Sequence, residues 1–277
     1  MAKKKEKIKK VKSSPPEKPL SAKITGSDLV YLVNTLLSVE KMRVAAQVRL
    51  SHFKHAGKNC IETENAHKRL QDTEDYITLR LKSFVQSHPA YPWFTLVRGI
   101  GNENIAKVIG LIDIKRAPYI SSLWKWFGYY PGAKREKGKK LEFNIQGKSM
   151  CWRMAGGLLK GKGKFYDFYL LRKKMFTARC ISEGLEIKPQ AQIKEKDTNV
   201  ISEGHVHNYA LRKMIKLFLA CLWLVWREAE GLPLNEPYSI GIQKHSKAHF
   251  ISPWDMIDKP VKSPKNPKKR KHATKKK

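Results

Sequence analysis

Residues 96–110 of the chain read LVRGIGNENIAKVIG, and this stretch decides how the rest of the sequence is interpreted. An apolar segment, a Gly-Ile-Gly turn and a second apolar segment are typical of a helix–hairpin–helix, in which glycine permits a tight turn and a close backbone approach. The first turn of the second helix would present unpaired N–H groups and a positive dipole, which both attract phosphate. An ordinary turn between two core helices is the alternative. The predicted phosphate contacts are Gly99, Gly101, Asn102 and, one turn further on, Lys107.

Two long helices are predicted on the N-terminal side of this turn. Apolar residues recur at helical spacing over residues 28–56, where Ser27 fits the N-cap and Gly57 the stop. A second helical pattern covers residues 63–87. Because the segment between the two patterns is short, we predict an antiparallel helical hairpin or coiled coil over residues 27–90.

The apolar stripes of this hairpin raise the question of what covers them. Two helices cannot bury both stripes against each other, and an uncovered stripe on a long helix usually marks a partner surface. A two-fold homodimer is expected, because it covers such a stripe with one self-complementary interface. The alternative is that the hairpin packs on the chain's own helical body. The residues that need cover are Leu29, Val33, Leu36, Leu37, Leu70, Ile77 and Leu81.

The segment from residue 133 to residue 174 is strongly basic, with thirteen Lys and Arg against three acidic residues. A basic loop, a break at Gly147-Lys148 and a flexible Lys-Gly loop at residues 160–164 separate its predicted helices. Lysines on flexible loops are able to follow a phosphate backbone. The aromatic residues at 165–169 are predicted to pack in the core rather than to stack on bases. The predicted phosphate contacts are Lys134, Arg135, Lys137, Lys139, Lys140, Lys148, Arg153, Lys160, Lys162 and Lys164.

The last predicted helix, residues 206–230, changes character along its length. Its second half is almost wholly apolar and belongs in a core. Residues 184–204 before it are predicted to form a polar surface loop, and residues 233–256 after it a surface extension with several prolines. No run of alternating strands is evident, so the chain is predicted to be all-α, with a nucleic-acid-binding body at residues 91–232. The first half of the helix carries Lys216 and three predicted contacts, Asn208, Arg212 and Lys213.

Net charge sets this chain apart from ordinary globular domains. The 56 Lys and Arg outnumber the 24 Asp and Glu, giving a net charge of +32, and self-repulsion of that size indicates a polyanionic partner. Residues 1–26 and 257–277 are predicted to be disordered basic arms, with +6 over residues 1–20 and +9 over residues 257–277. A net charge of +17 is left on residues 21–256. We therefore expect the body to bind phosphate backbones without either arm.

Other kinds of site are not indicated. The four cysteines form no CxxC pair, which favours reduced thiols in a cytosol over disulfides. No group of residues has the spacing of a metal site, so neither a metal nor another cofactor is predicted. The longest apolar run, residues 217–226, is too short for a membrane span. We expect a cytoplasmic, nucleoid-associated protein of a prokaryote or a phage.

The order of the motifs resembles a known family. Gly99-Ile100-Gly101 leads into a helix, and an aromatic helix follows that is closed by Gly128-Tyr129-Tyr130-Pro131. A basic loop, Gly147-Lys148 with Arg153, and a final helix from Asn208 to Met214 complete the order. This order resembles the C-terminal domain of the transposases of insertion sequences 110, 116 and 902, the bridge-RNA-guided recombinases.

The resemblance covers about residues 28–230, because the hairpin at residues 28–87 is similar to the coiled coil that this family places before the domain. The same arrangement resembles the Nop domain of box C/D guide-RNA proteins, a coiled coil followed by a small helical domain that grips a kinked RNA. It is most similar to the stand-alone Nop-like proteins of tandem interspaced guide-RNA (TIGR-Tas) systems.

Two departures from the transposase pattern bear on catalysis. The family begins with a RuvC-like domain that holds metal, and this chain is expected to lack one, since residues 1–20 are a lysine-rich arm. The family's nucleophilic serine lies in the loop after the Gly-x-x-Pro turn, whereas residues 133–148 contain no serine, threonine or cysteine. Transesterification needs such a nucleophile. Recombinase chemistry is therefore not expected of this chain alone.

The resemblance implies an RNA-guided binding protein without nuclease activity of its own. The body would hold a structured guide RNA, and base pairing between the guide and a DNA target would read the sequence. A separate nuclease and a second copy of the chain are further partners in this interpretation. Two alternatives stay open. One is a divergent recombinase that uses Ser149, Tyr129 or Tyr130 as its nucleophile, and the other is a nonspecific architectural protein.

Overall fold

A computed structural model of the chain describes residues 26–193, 198–235 and 250–258. The predicted basic arms lie outside the described residues, apart from residues 26, 257 and 258. Two short 3₁₀ turns, Gln190–Gln192 and Pro253–Met256, accompany the helices and strands. The helices and strands are α1 (Gly26–His55), α2 (Ile61–Gln86), α3 (Tyr91–Phe94), α4 (Asn102–Ile109), α5 (Ile120–Trp126), α6 (Ile145–Gly161), α7 (Lys164–Ser182), β1 (Glu186–Lys188), β2 (Val200–Ser202) and α8 (Glu203–Ala229).

The all-α class predicted from the sequence is confirmed. The one difference lies in residues 184–204, where β1 and β2 pair in parallel with Ile187 opposite Ile201. The prediction of a plain surface loop there was wrong, because strands of three residues are too short to give a recognisable alternation. The Ser202 hydroxyl at the end of β2 accepts a hydrogen bond from the His205 N–H at 3.1 Å and caps α8.

Helix α8 lies at the centre of the core. Phe218, Leu222 and Trp223 in its second half are fully buried, as expected of a helix that is apolar on all faces. The Trp223 indole N–H donates to the Ala117 carbonyl at 2.7 Å. The Arg227 guanidinium is buried as well, and it donates to main-chain carbonyls that include Ile114 at 2.9 Å. These bonds satisfy polar atoms that burial has removed from water.

Aromatic side chains of α3 and α7 pack around α8. The ring centroids of Trp93 and Phe165 lie 5.5 and 5.4 Å from that of Phe218. Tyr169 is buried, and Phe168 is partly buried against the same core. The prediction that the aromatic residues of this segment pack in the core rather than stack on bases is therefore confirmed.

Helices α1 and α2 form the predicted hairpin. Gly57, with a φ of +66°, follows α1 and allows the chain to reverse. The Arg43 guanidinium donates to both carboxylate oxygens of Glu74, at 2.5 and 3.2 Å, and joins the two helices. Planar paired contacts of this kind fix the relative position of two elements.

The base of the hairpin packs on the chain's own body. The Val33 side chain lies so close to Gly110 that a Cβ on that glycine would be 2.5 Å away. The expectation that the apolar stripe needs a second copy for cover was wrong, because the alternative arrangement is present. Homodimer formation itself stays a prediction. The stripe residues Leu29, Val33, Leu36, Ile77 and Leu81 are buried, and Leu37 and Leu70 pack partly buried against the same core.

The turn at Gly99 serves the packing of α6. A Cβ on Gly99, whose φ is +85°, would lie 2.2 Å from the Gly157 carbonyl oxygen, and a Cβ on Gly157 would lie 2.4 Å from the Gly99 carbonyl oxygen. The helix before the turn has only four residues and ends at Phe94. The close approach that was predicted toward a phosphate is therefore made to another helix. The alternative, an ordinary turn between core elements, describes this site.

The break predicted at Gly147 is not a break. Gly147 lies in the first turn of α6, and a Cβ on it would meet the Phe127 ring at 2.3 Å. The glycine is needed for close packing of α6 on the end of α5, and it does not interrupt the helix.

The Lys-Gly segment at residues 160–164 is a tight connection rather than a flexible loop. Helix α6 ends at Gly161 and α7 begins at Lys164, with Lys162 in the left-handed region at a φ of +49°. The Asp258 carboxylate accepts hydrogen bonds from the Arg98 and Lys164 backbone N–H groups, each at 2.7 Å. A carboxylate at this place caps the start of α7 and favours its dipole.

Residues 250–258 return to the body. The Trp93 indole N–H donates to the Pro253 carbonyl at 2.8 Å, and Met256 is buried. Residues 236–249 of the predicted surface extension lie outside the described residues. Asp258 was assigned to a disordered arm beginning at residue 257, and this assignment was wrong because its carboxylate holds the α6–α7 connection.

The described residues were compared with the requirements of a membrane span, a metal site and a disulfide. No described helix has the length and apolar character that crossing a membrane requires. No group of three or more His, Cys, Asp and Glu residues in the described part is placed to hold a metal ion. The four cysteines are free thiols, three of them buried.

We expect opposite effects from two neighbouring substitutions in α6. Gly157→Ala places a methyl group against the Gly99 carbonyl and lowers the free energy of unfolding by about 2 kcal/mol, because the backbone must shift. Gly156→Ala meets nothing within 4 Å and raises the free energy of unfolding by up to about 1 kcal/mol, since alanine is the better helix former. Urea unfolding followed by circular dichroism measures both. Equal stability of the two variants would contradict the packing of the turn on α6.

Candidate nucleic-acid interface

A cavity of about 290 Å³ opens between the turn that follows α5, the start of α6 and the first half of α8. Four cationic side chains line it, and none of the described residues that line it is acidic. We call it the cationic pocket. Its cations are Lys148, Arg212, Lys213 and Lys216, and its other lining residues are Gly128, Tyr129, Tyr130, Pro131, Gly132, Ala133 and Tyr209.

Helical spacing brings three of these cations together on α8. Arg212 and Lys216 are four residues apart and therefore lie one turn apart on the same face. Tyr209 and Lys213 are related in the same way, and the Lys213 Nζ lies 5.4 Å from the Tyr209 ring centroid. Because the second half of α8 is fixed in the core, the first half presents these side chains from a rigid support.

The opposite wall is shaped by a glycine turn and a helix cap. Gly128 and Gly132 have φ values of +67° and +86°, which glycine adopts without strain. The Asn144 side chain accepts a hydrogen bond from the Gly147 N–H at 2.8 Å and caps α6. Lys148 follows one turn into that helix and so reaches the pocket.

Aromatic rings support the lysines of the pocket. The Lys148 Nζ lies 4.5 Å from the Phe143 ring centroid, and the Lys216 Nζ lies 3.9 Å from the Trp124 ring. The Trp124 indole N–H also donates to the Lys216 carbonyl at 3.1 Å, which fixes that ring. A ring attracts a cation through its quadrupole but carries no net charge. The positive charge of these lysines is therefore held in place without being neutralised.

Burial and mutual repulsion lower the pKa of two pocket lysines. For Lys148 the larger cause is burial and the second is the Arg212 charge. For Lys216 the larger cause is again burial, followed by the Lys213 charge. The second cause of each pKa shift is repulsion by another cation of the pocket, which adds to the effect of burial. An anion in the pocket would relieve that repulsion, so an anionic ligand is what this arrangement favours.

The predicted basic loop continues the positive surface beyond the pocket. It follows directly after Ala133, which lines the pocket. Lys139 forms an ion pair with Glu136 at 2.5 Å, and an exposed pair of this kind contributes little to stability. The loop's predicted contacts, all of which are exposed, are Lys134, Arg135, Lys137, Lys139 and Lys140.

The remaining predicted contacts lie apart from the pocket. Asn208 is exposed one turn before Arg212 on α8. Arg153, exposed on α6, pairs with Glu40 of α1 at 3.4 Å. The cluster at the α6–α7 connection is exposed but lines no part of the pocket. Its members are Lys160, Lys162 and Lys164.

The Lys107 side chain of α4 is not available for its predicted phosphate contact. The Lys107 side chain is 1% exposed, and its Nζ donates to Glu103 at 2.9 Å and to Glu40. Two carboxylates already neutralise this lysine, so the prediction that it reaches a phosphate was wrong. Burial raises the pKa of Glu103, but the hydrogen bond and the charge of Lys107 outweigh burial. The pKa of Glu103 is therefore lowered overall. An anionic Glu103 in this first turn disfavours phosphate binding beside Gly101 and Asn102.

Eight residues that line the pocket were not among the predicted contacts, and Lys216, Tyr209 and Tyr130 are three of them. Lys216 lies four residues after Arg212, and Tyr209 lies four residues before Lys213, so helical spacing alone would have found both. The place of Tyr130 depends on the two left-handed glycines around it, and no spacing rule indicates it.

The nucleophiles considered for a divergent recombinase differ in their surroundings. Burial raises the pKa of the Tyr129 hydroxyl. The hydrogen bond that the Tyr130 hydroxyl donates to Glu142, at 2.9 Å, raises the pKa of Tyr130. The Ser149 hydroxyl donates to the Ile145 carbonyl at 3.0 Å. Activation requires a lowered pKa or an adjacent base that accepts the proton during attack. The pKa shifts of Tyr129 and Tyr130 run in the opposite direction, but the Glu142 carboxylate lies at the distance of a base for Tyr130.

Comparison with protein-family models, with curated proteins and with solved structures found no match. The resemblance to the transposase C-terminal domain and to Nop-like proteins therefore stays a prediction from the sequence. The cationic pocket is interpreted from its own geometry and charge.

We expect Lys107→Met to affect stability and leave nucleic-acid binding unchanged. The substitution keeps the buried stem but removes the cation that Glu103 and Glu40 share and leaves Glu40 with Arg153 alone, so the free energy of unfolding falls by roughly 3 kcal/mol. Lys125→Met, at an exposed position of α5, serves as the control and changes the free energy of unfolding by less than about 0.5 kcal/mol. Urea unfolding and the salt dependence of binding measure the two effects. A reduced salt dependence in Lys107→Met would restore this lysine as a phosphate contact.

Proposed function

We propose that the chain binds RNA through the cationic pocket and the basic loop, and that it presents this RNA as a guide to a DNA target. The observation that carries the proposal is the convergence of four cations on one cavity without an acidic residue among its described lining. Clustered Lys and Arg of this kind bind phosphate. The choice of a guide RNA over other polyanions comes from the sequence resemblance.

The type of contact suits a protein that positions nucleic acid without reading its sequence. Phosphate contacts fix the register and orientation of a strand, but they carry no sequence information. In a guided system the sequence is read by base pairing, and the protein needs only to hold the guide. The rigid supports of the pocket, α6 and α8, suit that holding role.

Two further partners belong to the proposal. Cleavage of the target would come from a separate nuclease, since residues 133–148 contain no serine, threonine or cysteine at the place of the family's nucleophile. A second copy of the chain would have to use a surface other than the apolar stripe of the hairpin, because the body already covers that stripe.

Nonspecific nucleic-acid binding is the second candidate function. The basic loop favours it, because five exposed cations on one loop bind any phosphate backbone. The two candidates differ in their preference for structured RNA. Competition with unrelated RNA and DNA separates them, since a nonspecific protein binds all competitors with similar affinity.

The experiment compares two variants that each lose three positive charges. The pocket variant combines Lys148→Gln, Arg212→Gln and Lys213→Gln. The hairpin variant combines Lys54→Gln, Lys58→Gln and Lys68→Gln. All three positions are exposed, with Lys54 near the end of α1, Lys58 between the two helices and Lys68 in the first half of α2. Affinity for the RNA that copurifies with the chain is measured over a range of salt concentrations. Circular dichroism confirms that both variants fold.

We expect the pocket variant to lose affinity and to reduce the slope of log K against log salt by about two, since each lost phosphate contact removes roughly 0.7 to 0.9. The hairpin variant should keep the slope within about half a unit of wild type. Equal losses in both variants would mean that binding depends on total charge and would refute the pocket as the site. A wild-type preparation with no bound RNA and no preference for structured RNA would refute the guide function.

A further inference from the structure

The cationic pocket concentrates its charge in a small space. Arg212 and Lys216 are separated by about 6 Å along the α8 axis, and Lys148 faces them from α6. A phosphodiester within a strand carries a single negative charge. A phosphate monoester carries about −1.5 to −2 at neutral pH and offers three strong acceptor oxygens. The gathered cations therefore match a monoester better than they match a diester.

The size of the pocket agrees with a strand end. Its volume of about 290 Å³ equals that of roughly ten water molecules in the liquid. Such a space is large enough for one phosphate and part of its nucleotide. The exposed basic loop beside it offers the surface along which the following nucleotides would run.

The donors of the pocket suit a group with free oxygens on several sides. The Arg212 guanidinium is a planar fork that binds two oxygens of one phosphate, and each lysine offers three N–H donors. These donors come from two walls, with Lys148 on α6 and the others on α8. Lys148 and Lys216 lie against neutral aromatic rings. None of the described residues that line the pocket is a carboxylate that would compete with a phosphate for the N–H donors.

We propose that the cationic pocket binds a terminal phosphate monoester of the RNA strand. This inference rests on the proposed function, because it names the part of the bound RNA that the pocket takes. An end held in this way sets where the strand begins on the body, and therefore which nucleotides remain free for pairing. The phosphate monoester is the same chemical group at a 5′ or a 3′ end, and the experiment distinguishes the two.

The test measures the affinity of the full chain for one RNA sequence prepared in three forms. One form has a 5′ phosphate, one has a 3′ phosphate, and one has hydroxyl groups at both ends. We expect one phosphorylated form to bind about tenfold tighter than the hydroxyl form, as one charge-assisted hydrogen bond provides. The preference should disappear in the pocket variant and persist in the hairpin variant. The preference should also decline as pH falls through about 6, where the monoester dianion takes up one proton and becomes a monoanion.

The outcomes separate this inference from the proposed function. Equal binding of all three forms overturns the end-binding inference and leaves RNA binding intact. A preference that survives in the pocket variant overturns the assignment to this pocket. If none of the three forms binds and a structured RNA does not bind either, the proposed function itself is overturned.

Discussion

Helix α8 has to be apolar where it crosses the core and cationic where it lines the pocket, and the rest of the structure depends on this division. Phe218 and Trp223 anchor its second half among the aromatic residues of α3 and α7. With that half fixed, the backbone positions of Arg212 and Lys216 stay one turn apart beside neighbouring positive charges. The energy gained by burying the apolar half therefore supports a cluster of like charges in the other half, ready for an anion.

The positively charged side chains fall into two groups that differ in their neighbouring groups. Lys107 is enclosed by the carboxylates of Glu40 and Glu103, and Arg227 donates to main-chain carbonyls. These cations are satisfied within the protein and hold its elements together. Lys148 and Lys216 rest against the faces of aromatic rings, which position a cation but do not neutralise it. This contrast in partners identifies the second group as available to a ligand.

The sequence was sufficient for the helices, because long amphipathic patterns such as the one ending at Gly57 depend on local spacing. It also indicated Arg212 and Lys213 as cations of the polar first half of α8. Lys107 was misassigned because its partner Glu40 lies on another helix, and no local pattern reveals a contact between such distant parts of the chain. The role of Gly99 was misjudged for the same reason. A glycine that permits a close approach does not indicate which neighbour approaches it, and here the neighbour is α6.

The central claim is that the cationic pocket contacts the nucleic acid. It is tested most directly by ultraviolet crosslinking of the chain to thiouridine-containing RNA, with the adducts located by mass spectrometry. We expect adducts in the cationic pocket, on peptides that include Tyr130 or Tyr209. Adducts confined to residues 1–25 and 259–277, with none in the pocket or the basic loop, would contradict it.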